Sequence, residues 1–104
     1  MNPQIQVDKE RITEFCRKYR IRSMSFFGSV LREDFGADSD VDVMVSFNED
    51  AHWSLLDLVN MQEELAGILG REVDLVEREA IEASENYIRR RHILQTEEPI
   101  YVEG

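Results

Sequence analysis

Two carboxylates, Asp40 and Asp42, stand at the head of "DVDVMV", a run whose valines otherwise read as buried strand. Residues two apart on a strand project to the same face, so this pair sits side by side and repels. Ionised carboxylates are costly to bury unless something positive meets them, either a basic side chain or a metal ion. A divalent cation suits the case, since Mg2+ is held by one or two carboxylates together with substrate phosphates and water. A third carboxylate, Asp74, lies in the same kind of alternation, "VDLV", and would join the pair if the two strands neighbour each other in register. Upstream, Gly28 and Ser29 close the segment "SMSFF". A glycine at a strand-to-helix bend lets backbone approach a ligand, helix-start N–H groups favour phosphate oxygens, and the Ser29 hydroxyl adds a donor. Phosphates held at one end and a metal at the other describe a nucleoside triphosphate site.

Each piece alone has a plainer reading. Gly-Ser pairs mark many turns, a single Asp caps many others, and Asp74 by itself would pass for an exposed strand residue. Three carboxylates set into alternating apolar strands are harder to explain as surface decoration. A rival metal pattern also runs through "DSDVDVMVSFNE", where Asp38, Asp40, Asp42 and Glu49 fall at the spacing of a calcium-binding EF-hand loop. That loop needs glycine at its sixth position for a sharp turn, and Val43 stands there. The valine alternation demands extended backbone instead.

The elements that must position these residues follow from periodicity. Apolar residues recur at three- and four-residue spacing from Val7 to Tyr19, which predicts an amphipathic helix with Ile12, Phe15, Cys16 and Tyr19 inward. "RSMSFFG" reads as a short strand ending at Gly28. Ser29 could cap a brief helix through "SVLRE", and "FGADS" reads as a turn. In "VDVMVSF", Val41, Val43, Val45 and Phe47 share one face, while Asp40, Asp42, Met44 and Ser46 share the other. A second amphipathic helix is predicted over Ala51 to Leu69, with Leu55, Leu58, Val59, Leu65, Ala66 and Leu69 as its stripe and Gly70 as its stop. "REVDLVE" is another strand, with Val73 and Leu75 opposite Asp74 and Val76. Glu79 to Gln95 reads as one long helix or two short ones, and "IYV" after Pro99 as an edge strand or docked tail. The expected architecture is α/β (α+β): a small mixed sheet with helices packed on one face, the other open for chemistry. The length of 104 residues suits a single domain over 1–104.

Composition narrows the partners. Twelve basic against 22 acidic residues give a formal charge of −10, which argues against DNA or RNA as the main ligand. It is compatible with a metal site, a basic protein partner or simple solubility. The one cysteine, Cys16, cannot form an internal disulfide, and there is no Cys/His zinc pattern. No apolar run is long enough to span a bilayer, and the first residues lack the build of a secretion signal, so a soluble cytoplasmic protein is expected. Against the acidic background, "YIRRRHILQ" (87–95) concentrates Arg89, Arg90 and Arg91 beside His92. It reads either as a docking or triphosphate contact or as a solvated helix face. Trp53 reads as a core residue ahead of a partner anchor.

"GSVLREDFGADSDVD" resembles the nucleotidyltransferase signature, a Gly-Ser pair followed after ten residues by Asp-x-Asp. "EVDLVE" is similar to the strand that carries that family's third carboxylate. From about Arg11 to Tyr101 the chain resembles the minimal nucleotidyltransferases of the DNA polymerase β-like superfamily, whose members often act as antitoxins paired with HEPN-domain ribonuclease toxins. The resemblance implies that Gly28 and Ser29 hold the phosphates of ATP, and that Asp40 and Asp42 ligate two Mg2+ ions. By the same likeness Asp74 completes one metal site and helps deprotonate an acceptor hydroxyl, while Arg32 makes phosphate or structural contacts. Glu33 departs from the commoner family form, where glycine is frequent. The implied reaction is AMP transfer from ATP to a hydroxyl, a tyrosine's for the characterised antitoxins, of a HEPN toxin. Two alternatives stand beside it: a catalytically silent antitoxin that neutralises by binding, and an enzyme modifying a small molecule. The latter usually needs an additional substrate domain, for which this chain would have to form a homodimer.

Overall fold

The computed structural model describes residues 7–28 and 40–103. Helix α1 (Lys9–Lys18) opens at Asp8, whose side chain accepts hydrogen bonds from the backbone N–H of Glu10 and Arg11. These are donors that a helix start leaves without internal partners. Arg20, in left-handed backbone at φ 58°, turns the chain into strand β1 (Ile21–Phe27). Its carbonyl accepts from the Asn48 backbone N–H at 2.8 Å, which ties that corner to the end of strand β2 (Val41–Phe47). Helix α2 (Leu55–Leu69) follows and leads into strand β3 (Val73–Glu77), short helices α3 (Arg78–Glu82) and α4 (Tyr87–Thr96), and strand β4 (Glu98–Val102).

The four strands form one mixed sheet in the order β3-β2-β1-β4. β1 runs antiparallel to both β2 and β4, and β2 runs parallel to β3. A parallel pair needs a crossover rather than a hairpin, and α2 supplies it. The main core lies under α1 and α2, where Ile12, Phe15, Cys16, Met61, Leu65 and Leu69 pack on Val41, Val43 and Val45 of β2. Trp53 joins this core: its indole N–H donates to the Tyr19 carbonyl at 2.9 Å, and its ring meets the Tyr19 ring edge-on.

Three expectations change in detail. The second helix starts at Leu55 rather than Ala51, because Ser54 and Asp57 form a reciprocal cap there. Its buried stripe runs through Met61, Leu65 and Leu69, while Leu55 (78% exposed) and Val59 (43%) face outward. Successive helix residues turn about 100°, so Val59 lies about 160° around the axis from Met61. The other face of the sheet, expected open, is partly covered. Ile81 of α3 and Ile93 of α4 close over Phe27 and Met44 in a second, smaller core. Glu79 to Gln95 resolves into two short helices, with Asn86 capping the second through the Arg89 N–H. The segment after Pro99 is an edge strand. The helix placed at "SVLRE" and the turn at "FGADS" lie outside the described residues.

Candidate active site

Register decides which carboxylates meet. In the parallel pair, Asp42 stands directly opposite Asp74, and in the antiparallel pair it stands opposite Phe27. Phe27, Asp42 and Asp74 therefore form one row across three strands, with Met44 and Val76 in the next row of the same face. Residues facing each other across a ladder lie about 4.8 Å apart at the backbone. Two carboxylates at about 5 Å repel by about 0.8 kcal/mol in water and about 3 kcal/mol at the effective dielectric of a protein surface. A cation between them reverses the sign.

Gly28 is built against this pair. It follows Phe27 at φ +73°, and a Cβ placed there would lie 2.4 Å from the Asp42 carboxylate oxygen Oδ2 and 3.3 Å from its Cγ. Only glycine both adopts this backbone readily and leaves room for the carboxylate. Asp40 is exposed and precedes β2 by one residue, where the Val41 N–H extends the parallel ladder by donating to the Glu72 carbonyl at 2.9 Å. Among the described residues no three His, Cys, Asp or Glu side chains stand as a ready-made metal group. The face-to-face pair is Asp42 and Asp74. Carboxylate oxygens are the donors that hard divalent cations prefer, and this pair, Asp42 half-buried and Asp74 exposed, fits one beside the glycine cradle. Ser29 and Arg32 lie outside the described residues.

Two supports around the row had no marker in the sequence. Gln62, on α2, accepts the Leu75 N–H at 3.0 Å, satisfying the outer edge of β3 one residue beyond Asp74. Glu97 accepts from the Ser25 hydroxyl and from the Arg78 guanidinium, each at 2.8 Å, and so links β1, the start of α3 and the start of β4 on the carboxylate side of the sheet. Neither residue sits in a periodic pattern or a recognisable motif, and only the folded arrangement gives each its partner. Within the arginine cluster, Arg90 is structural: it donates to the carbonyls of Ser84 at 3.0 Å and Glu82 at 3.5 Å, closing the end of α3.

The mixed sheet, the parallel crossover and the glycine-flanked carboxylate row together are the frame of a nucleotidyl-transfer domain. Residues 9–96 match the nucleotidyltransferase domain family, and the chain belongs to it. The chain is 40% identical over 68 residues to MJ0435 of Methanocaldococcus jannaschii, by name a protein adenylyltransferase, a stretch covering 65% of this chain and 71% of that one. It is 36% identical over 70 residues to the protein adenylyltransferase MntA of Thermococcus cleftensis, covering 67% of this chain and 69% of MntA. Among solved structures, a minimal nucleotidyltransferase superposes with a TM-score of 0.63 at 30% identity, covering 90% of this chain and 88% of that one. A toxin–antitoxin structure with AMP-PNP gives 0.68 at 16% identity over 93% of this chain and 75% of that one, a likeness of fold. No helix among the described residues is long and apolar enough to cross a membrane.

Proposed function

We propose that the chain is an antitoxin that transfers AMP from ATP to a hydroxyl of a HEPN-domain toxin, a tyrosine's by analogy with characterised antitoxins. The observation that carries this reading is the in-register pairing of Asp42 with Asp74 beside Gly28. Relatives named protein adenylyltransferase support the transfer, and a similarly folded structure of a tri-AMPylated Shewanella oneidensis HEPN toxin with its antitoxin supports the partner class. Asp40, Asp42 and Asp74 are the proposed ligands of two Mg2+ ions, which when bound would neutralise charge on the triphosphate and lower the pKa of the acceptor hydroxyl. Gly28 and Ser29 are assigned to the phosphates and Arg32 to a phosphate or structural contact. The acceptor oxygen attacks the α-phosphorus, the bond from that phosphorus to the bridging oxygen breaks, and pyrophosphate leaves. The hydroxyl proton passes to Asp74, which is exposed enough to return it to water. A free tyrosine titrates near pH 10, so removing its proton is a task the site must perform.

The test incubates the protein with α-labelled ATP, Mg2+ and the product of the adjacent open reading frame. Label on that product with wild type, lost with Asp42→Asn, is the expected result. Toxin inhibition that survives Asp42→Asn with no label in either case would replace the enzyme with a pure binder.

A further inference from the structure

Helix α4 lies on the carboxylate side of the sheet, because its Ile93 packs with Phe27, the residue opposite Asp42, and with Met44. Its two apolar ends point in different directions. Ile93 is buried, whereas Ile88 is 74% and Tyr87 56% exposed. Ile93 is five positions beyond Ile88, which sets the two about 140° apart around the helix. Arg90 is consumed in closing α3. Arg89 and Arg91 are exposed, and neither pairs with a carboxylate among the described residues, although the chain holds 22 acidic residues. Burying an exposed isoleucine and tyrosine is favourable at about 25 cal/mol per Å2, and exposed Tyr and Arg are the residue types enriched in docking surfaces.

We infer that the exposed start of α4, Tyr87 and Ile88 flanked by Arg89 and Arg91, docks the acceptor protein through a surface that is apolar at its centre and acidic at its rim. This rests on the protein-acceptor reading above. Charge selects the occupant. The chain as a whole carries −10, so an acidic-rimmed acceptor is favoured where cations stand unpaired, and among the described residues Arg89 and Arg91 offer two of them on the helix that lies on the carboxylate side. A second copy of the chain would bring another −10 to the contact, and a nucleic acid strand would gain nothing from Ile88.

The test measures affinity for the adjacent gene product by calorimetry, together with kcat and the acceptor KM of AMP transfer. The variants are Ile88→Asp, the pair Arg89→Glu with Arg91→Glu, and Leu56→Asp on the outward face of α2 as control, each checked for an unchanged melting temperature. Ile88→Asp and the arginine pair are each expected to weaken acceptor binding and raise KM tenfold or more, with kcat within twofold of wild type and Leu56→Asp silent. Unchanged affinity in both variants, or no binding by wild type, overturns the inference. So does a wild-type dimer that Ile88→Asp dissolves, or binding of a single-stranded RNA oligonucleotide lost in the arginine pair. If wild type binds the acceptor but transfers no AMP, the transfer reading fails, and the affinity contrast alone upholds or overturns the docking surface.

Discussion

Gly28 and Gly70 share almost the same left-handed backbone, φ +73° and φ +69°, yet meet different surroundings. At Gly70, the stop of α2, an added Cβ finds nothing within 4 Å; at Gly28 it collides with Asp42. Gly70→Ala should therefore cost only the left-handed penalty, about 1 to 2 kcal/mol in chemical unfolding, and leave AMP transfer intact. Gly28→Ala carries the same penalty and also displaces a carboxylate, so transfer should fall by about two orders of magnitude. Equal loss of activity in the two variants would show that the collision is irrelevant. The carboxylates, the glycine and their spacing were legible in the sequence because each is a residue type with a chemical purpose. Which two of the three carboxylates face each other was not, since that depends on the register of β2 with β3, set by distant packing.

Elements matter here through their ends and edges. β3 is an edge strand, and the Gln62 side chain meets its Leu75 N–H, so Gln62→Leu should cost about 1 to 2 kcal/mol, read as a lower denaturation midpoint with an unchanged slope. Glu97 joins three elements through one oxygen; Glu97→Ala leaves Ser25 and Arg78 without their acceptor and should cost about 2 kcal/mol. In α1, burial pushes the Cys16 thiol up to about 12 from 9.0. Folding thus favours the neutral thiol: this contribution is intact below about pH 9 and is lost as pH rises toward 12. Iodoacetamide at pH 8 should label Cys16 only after denaturant is added, and rapid native labelling would contradict the buried placement. Periodicity located α1, α2, β2 and β3, whereas Glu79 to Gln95 read only as one helix or two and the tail after Pro99 as a strand or a docked tail. It misjudged the stripe of α2, because Leu55 and Val59 look equivalent to Met61 until the helix start and the sheet position fix the rotation.

At the scale of the molecule, two layers of unequal size clasp one sheet. The larger, α1 and α2, covers the valine face. The smaller, α3 and α4, covers only part of the carboxylate face. Alternation in "VDVMV" foretold that the two faces would differ. It did not foretell the second core, because Ile81 and Ile93 sit in short segments with no apolar period of their own. This asymmetry is what lets a chain of 104 residues be both stable and reactive: burial on one side holds the row of Asp42 and Asp74 on the other. The most direct measurement compares two acids on the same short strand. Asp74 faces Asp42, whereas Glu77 is an odd number of positions away and projects to the opposite face. Intact-mass spectrometry of the acceptor, after incubation with ATP and Mg2+, should show added AMP with wild type and with Glu77→Gln but none with Asp74→Asn. Full modification by the Asp74→Asn protein would contradict the account.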